Sequence, residues 1–265
     1  MQKNHLVLLS IVSLVLIIAV GYIILKDSPP EEETKANGSI RYPILFVHGY
    51  TCNSGYWEYF KNELAKEGYP TELLYAYTHG NTHDASSGVK EAQAKEIAIW
   101  VDDILDETGA EKINIVGHSR GGITSRYYIK FLGGIEKVDV YISLASPHHG
   151  NGRKGAKQKA DGVDSTFLEK LNNGDETPGG ILEDKVGWRD DPVGEGGYNG
   201  THIPGNITYI TMSSPVDGRI YPETSCMLEG SIYIGVYCSH SQFVEDENVL
   251  RHLKSTFMKQ KGEPT

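Results

Sequence analysis

The sequence predicts an α/β domain, a mostly parallel sheet flanked by helices, preceded by one N-terminal transmembrane helix. Three observations carry this reading. Short apolar runs alternate with segments whose apolar residues recur at helical spacing. The intervening helices are long enough to serve as crossovers, which makes the strands they join parallel. Finally, Leu6 to Leu25 is a stretch of twenty residues without a charge, rich in Leu, Ile and Val. As a helix it would be roughly 30 Å long, the thickness of a bilayer core. A chain of 265 residues with 39% hydrophobic and 23% charged residues is globular, which excludes a wholly disordered or fibrous protein.

The N-terminal run has two readings, an uncleaved anchor or a signal peptide with Ala19-Val20-Gly21 as its cleavage site. Its length exceeds the usual core of a signal peptide, which favours the anchor. Lys3 lies on one flank, and Lys26 and Asp27 followed by Glu31-Glu32-Glu33 lie on the other. The positive-inside rule then puts the N-terminus in the cytoplasm and the body outside, or free in the medium if residues 1–21 are removed. Residues 1–26 form the anchor or signal, 27–41 a polar linker containing Pro29-Pro30, and 42–262 the main domain. Lys3 and Lys26 are the only charged residues among the first 26, so the rest carries 23 basic against 35 acidic residues, a formal −12. So acidic a body repels phosphate backbones, and nucleic acid is excluded as a partner.

Within the body, Pro43 to Val47 is a buried strand stopped by His48-Gly49. Trp57, Phe60 and Leu64 predict a helix over 56–66, and Leu73 to Tyr77 a second strand. A long helix over 88–107 would bury Val89, Ile97, Trp100, Val101, Ile104 and Leu105 and stop at Gly109. A strand over 112–116, a helix over 121–132 and a strand over 138–144 follow. From 151 to 205 the pattern breaks into an irregular insertion with twelve glycines. Its one helix signal has Thr166 as N-cap and Glu169 as capping-box partner. Strands over 207–211 and 232–236 and a closing helix over 242–258 complete the domain.

Gly117-His118-Ser119-Arg120-Gly121 fits G-x-S-x-G, and it follows an apolar strand and opens an apolar-periodic helix. That setting makes a nucleophile elbow, a turn too tight to admit Cβ atoms beside the serine. A serine hydroxyl needs a positioned base, and the base needs an acid to hold its tautomer. Of ten histidines, His240 lies in the loop between the last strand and the last helix, where the base is expected. His48 and His118 belong to turns at strand ends, too local to act as the base. His148 and His149 read as turn or pocket residues, and His79, His83 and His252 as surface or packing residues. Asp217 follows the fifth strand in Ser213-Ser-Pro-Val-Asp-Gly218 and completes the order Ser, Asp, His, with Glu223 as the alternative acid. Two backbone N–H groups must hold the oxyanion. Arg120, next to the nucleophile, supplies one; Tyr50, after Gly49 in the loop behind the first strand, supplies the other, and its ring could line an acyl pocket.

With these residues the chain resembles the small bacterial secreted lipases of the class 2 lipase family, in the α/β-hydrolase superfamily, over roughly residues 42–258. The resemblance rests on Pro43 to Tyr50, Leu105 to Gly122, Leu144 to Gly150, Phe167 to Gly179, and Ser213 to Asp217 with the His240 loop. It implies an α/β-hydrolase fold and hydrolysis of an ester or lipid substrate through an acyl-enzyme on Ser119, with His240 as base, Asp217 as acid, Tyr50 and Arg120 at the oxyanion, and no cofactor. The stretch Ile181 to Gly205 is an insertion relative to compact members, and the anchor is atypical of freely secreted ones. Because that insertion has few apolar residues among its charges and glycines, it makes a poor lid, and short to medium acyl chains are expected.

Of Cys52, Cys226 and Cys238, the last two could form a disulfide outside the cell and clip the Asp217 loop to the His240 loop. Zinc is not expected without HExxH or CxxC spacing, and Asp184, Asp190 and Asp191 read better as a solvated acidic loop than as a calcium site. Two further readings share the sequence: an acyltransferase or amidase using the same three residues, and a membrane-tethered binding protein without catalysis.

Overall fold

In the computed structural model, residues 41–84, 86–151, 165–181 and 206–258 are described. Six strands form one sheet in the order β2-β1-β3-β4-β5-β6, and all five pairings are parallel. The strands are β1 (Ile44–Val47), β2 (Leu74–Tyr77), β3 (Ile113–His118), β4 (Val138–Leu144), β5 (Thr208–Ser213) and β6 (Ile232–Gly235). The helices are α1 (Glu58–Lys66), α2 (Ser87–Thr108), α3 (Arg120–Phe131), α4 (Ser165–Asn172) and α5 (Glu247–Phe257). The described residues form one compact unit.

The period of two along each strand divides the core in two. Ile44 and Phe46 face a cluster with Trp57, Phe60, Leu64, Leu253 and Phe257, so α1 and α5 cover one face of the sheet. Leu45 and Val47 face Ile97, Val101, Ile104, Ile123 and Tyr127, so α2 and α3 cover the other. A parallel sheet buried on both faces explains why its strands read as continuous apolar runs.

Three details differ from the sequence reading. The long helix buries Lys90 and Gln93 along with Ala94, Ile97, Val101 and Ile104, while Val89, Trp100 and Leu105 are only half-buried. Lys90 can be buried because its stem is apolar and its Nζ lies 5.6 Å from the centre of the Phe167 ring. The closing helix is interrupted: a 3-10 turn over His240–Val244 precedes α5, which begins only where Asp246 accepts from the N–H groups of Asn248 and Val249. Thr166 lies inside the first turn of α4 rather than capping it.

Among the described residues no helix is long and apolar enough to cross a membrane. The span over Leu6 to Leu25 lies outside those residues, as does the insertion over 182–205 with Asp184, Asp190 and Asp191.

Candidate active site

Ser119 sits between the end of β3 and the start of α3 at φ 55°, ψ −123°, a region that side-chain-bearing residues seldom occupy. The surroundings over-determine it. A Cβ on Gly117 would stand 2.6 Å from both N and Cα of Gly122, so the strand can turn into the helix only without one. On the far side, a Cβ on Gly49 would come within 2.9 Å of the Ser119 Cβ, which places the loop after β1 against Ser119. Ser119 itself is only partly buried, whereas His118 and Arg120 on either side are buried.

Asp217 follows β5 and His240 follows β6, so both stand at the same C-terminal edge of the sheet as Ser119. His240 Nδ1 lies 2.8 Å from Asp217 Oδ2, with both side chains buried. The other carboxylate oxygen accepts from the N–H groups of Arg219 (2.9 Å) and Ile220 (2.7 Å). A carboxylate occupied in this way accepts the Nδ1 proton of His240 and leaves Nε2 as the free, basic nitrogen. Glu223, the alternative acid, lies in a 3-10 turn over Glu223–Cys226, and the imidazole is already held by Asp217.

Sequence reasoning treated His118 as a turn residue and missed its second task. Its Nε2 lies 3.0 Å from the His240 carbonyl, to which it donates, and the two rings are 4.7 Å apart. The residue preceding Ser119 thus carries His240. Complete burial holds the His118 pKa well below the usual imidazole range, so the ring stays neutral. No local signal marks this contact, which joins residues 122 apart in the chain.

A second Ser–His pair invites comparison. Ser143 Oγ lies 2.8 Å from His148 Nε2, but both are buried and His148 Nδ1 has no partner among the described residues. Without access or an orienting acid it is a packing pair beneath α3. His149, by contrast, is exposed and lies 2.8 Å from Glu176.

The two candidate oxyanion donors come from different elements. The Arg120 N–H opens α3 and, as a first-turn donor, has no intrahelical acceptor. The Tyr50 N–H has no acceptor among the described residues. The Tyr50 ring is more exposed than a pocket wall requires: its hydroxyl donates to the His83 carbonyl at 2.7 Å, and the Arg120 guanidinium packs over its face at 4.9 Å. Arg120 also donates to the carbonyls of Thr82 and Asp84, and the Thr51 N–H donates to Thr82 at 2.9 Å. The loop over 79–84 is therefore fastened to the oxyanion loop at several points.

The expected Cys226–Cys238 disulfide is not formed; all three cysteines are free thiols. Hydrogen bonds do the clipping instead. His240 N–H donates to the Asp217 carbonyl (2.9 Å), Cys238 N–H to Ser214 Oγ (3.2 Å) and Val236 N–H to the Ser213 carbonyl (2.9 Å). Cys226 is buried in its own 3-10 turn, and Cys52 is partly exposed beside the Tyr50 carbonyl.

The sheet, the elbow and the acid and base loops at one edge define an α/β-hydrolase fold, and solved structures agree. A lipase B of Aspergillus fumigatus superposes with a TM-score of 0.61 at 12% identity, covering 89% of this chain and 56% of that one. A lipase of Bacillus licheniformis in its mature form gives 0.57 at 19% identity, covering 86% and 95%. The family model for class 2 lipases matches residues 41–195, more than half of the chain, and the protein belongs to that family. A triacylglycerol lipase of Burkholderia plantarii is 28% identical over 131 residues, 47% of this chain and 34% of that protein. The chain thus spans about a third of the length of the curated relatives it matches.

Proposed function

We propose that the protein is a carboxylic ester hydrolase that works through an acyl-enzyme on Ser119. His240 Nε2 takes the Ser119 proton as the hydroxyl attacks the ester carbonyl, and returns it to the leaving alcohol when the tetrahedral intermediate collapses. Asp217 holds the imidazole in the required tautomer and stabilises it while charged. The N–H groups of Tyr50 and Arg120 meet the oxyanion, aided by the positive N-terminal end of α3. Water activated by His240 then releases the acid. The observation that carries this reading is the buried Asp217–His240 hydrogen bond at the edge where the strained Ser119 turn opens. Family membership and the lipase relatives agree with it.

In the cell, we read residues 6–25 as a membrane anchor, residues 27–41 as a linker, and the domain as facing outward. The polar insertion after Ile181 suits esters of short to medium acyl chains better than long-chain triglycerides.

One experiment tests all parts. The full chain, held in mild non-ionic detergent, should hydrolyse a series of chromogenic esters, fastest with short to medium acyl groups. It should also be labelled by a fluorophosphonate, and both properties should vanish in Ser119→Ala. Activity should sediment with membranes; activity released into the medium would mean the segment is cleaved. Transfer to an added alcohol or amine outrunning hydrolysis would make the enzyme an acyltransferase. A folded wild type that neither turns over nor labels would leave the binding-protein reading.

A further inference from the structure

The buried His48 and His79 and the half-buried Glu96 form a chain of hydrogen bonds that the steps above do not use. The backbone N–H of His79 donates to His48 Nε2 at 3.1 Å. That nitrogen is therefore an acceptor, and the His48 proton resides on Nδ1. Nδ1 lies 2.8 Å from the Gly49 carbonyl oxygen and donates to it. Behind His48, the His79 ring packs at 5.0 Å from the His48 ring and at 4.8 Å from Trp100. His79 Nδ1 lies 3.0 Å from Glu96 Oε2, which also accepts the Gly80 N–H at 3.2 Å. Glu96 stands on α2, a long helix fixed against the sheet.

The Gly49 carbonyl and the Tyr50 N–H belong to one peptide unit. In a planar trans peptide the two point in opposite directions, so whatever fixes the carbonyl aims the N–H. Two donors reach this carbonyl: His48 Nδ1 at 2.8 Å and, across the turn, the Cys52 N–H at 3.4 Å. The shorter of the two comes from His48. Gly49 tolerates many backbone orientations, and the Gly49–Cys52 turn, with Thr51 at φ 59°, closes on this carbonyl only through the longer of the two bonds, so His48 adds the tighter restraint on this plane.

We propose that His48 is a positioning residue for the oxyanion hole, holding the Gly49–Tyr50 peptide so that the Tyr50 N–H faces the site, and that His79 and Glu96 hold His48 in turn. The proposal rests on the ester-hydrolase reading and adds to it the origin of one oxyanion donor's direction. A donor fixed before the reaction needs no reorganisation as charge develops on the carbonyl oxygen, so the effect falls on the chemical step and not on substrate binding.

The test uses the full chain in mild detergent with a short-chain chromogenic ester. Ser119→Ala comes first, because a wild type without Ser119-dependent turnover would sink the ester reading itself. With an active wild type, His48→Leu should lower kcat by about 10- to 100-fold, approaching the loss of a whole oxyanion donor, and leave KM within about twofold. His48→Asn, whose amide N–H reaches the position of Nδ1, should recover kcat to within about fivefold of wild type; a side chain needed only for packing would show no such rescue. Glu96→Ala, at a partly exposed position, should lower kcat by about three- to tenfold, and it decides the matter if His48→Leu does not fold. Either folded variant keeping the wild-type kcat, a loss confined to KM, or an Asn variant as impaired as the Leu variant would overturn the proposal while leaving the ester reading intact.

Discussion

Asp217→Asn tests the division of labour in the site with the least disturbance to the fold. Oδ1 of Asp217 accepts two backbone N–H groups, at 2.9 and 2.7 Å, and Oδ2 accepts from His240 Nδ1 at 2.8 Å. An asparagine can satisfy both N–H groups only by turning its carbonyl oxygen towards them, which turns its NH2 towards His240. Two donors then face each other, and His240 relieves the conflict by moving its proton to Nε2, the nitrogen that must be free to accept from Ser119. The wrong tautomer is expected to lower kcat by about 10⁴-fold, equivalent to about 5.5 kcal/mol of barrier at 1.36 kcal/mol per decade. The two backbone hydrogen bonds survive and the third re-forms with its direction reversed, as a neutral bond in place of a charged one, so the stability loss should be about 1 kcal/mol, or about 2–4 °C in Tm for a domain of this size. Steady-state ester hydrolysis and a thermal melt measure the two quantities on one preparation. A folded variant whose kcat falls by less than tenfold would refute the role given to Asp217. An equal collapse of Tm would show that Asp217 acts through the fold and not through the tautomer.

Two further outcomes concern the body of the protein. His118 and His148 are fully buried and neutral, with pKa values held well below that of an exposed imidazole. The unfolded chain therefore binds more protons than the folded one below about pH 6.5, and stability must fall as the pH drops, by about 1.4 kcal/mol per pH unit for each group. Urea midpoints should decline steeply between pH 6 and 5, and a flat profile would contradict the buried, neutral state of these rings. As for the thiols, Cys226 is pushed far up by burial and Cys238 up to about 12, so both should react slowly with iodoacetamide in the folded protein. In urea without reductant all three cysteines should alkylate. Alkylation of Cys52 alone would restore the disulfide.

The expected strands and the elbow were legible because each rests on a short-range cause. A strand buried on both faces must be apolar at every position, and a serine turned that sharply needs glycine on both sides, so β1, β3 and Gly117 to Gly121 announce themselves within a few residues. The meeting of Asp217 and His240, the expected acid and base, followed from chain order along strands whose ends share one edge of the sheet. Lys90, the broken closing helix and the free thiols were not legible in this way. Lys90 lies on a buried face where Phe167, 77 residues further on, brings its ring under the ammonium group. Cys226 and Cys238 are free thiols, and direct hydrogen bonds join the Asp217 and His240 loops that their pairing would have clipped.

By itself, the sequence determined the layered α/β class, the tight turn that carries Ser119 between its glycines, and the chain order of Ser119, Asp217 and His240, since these follow from local periodicity and from steric limits within one turn. Only the tertiary structure decided which nitrogen of His48, His118 and His240 carries a proton and what that proton serves. His48 is tied to His79 across 31 positions and His118 to His240 across 122. Such a choice depends on where a distant donor or acceptor comes to rest, which no residue's own neighbours in the chain can specify.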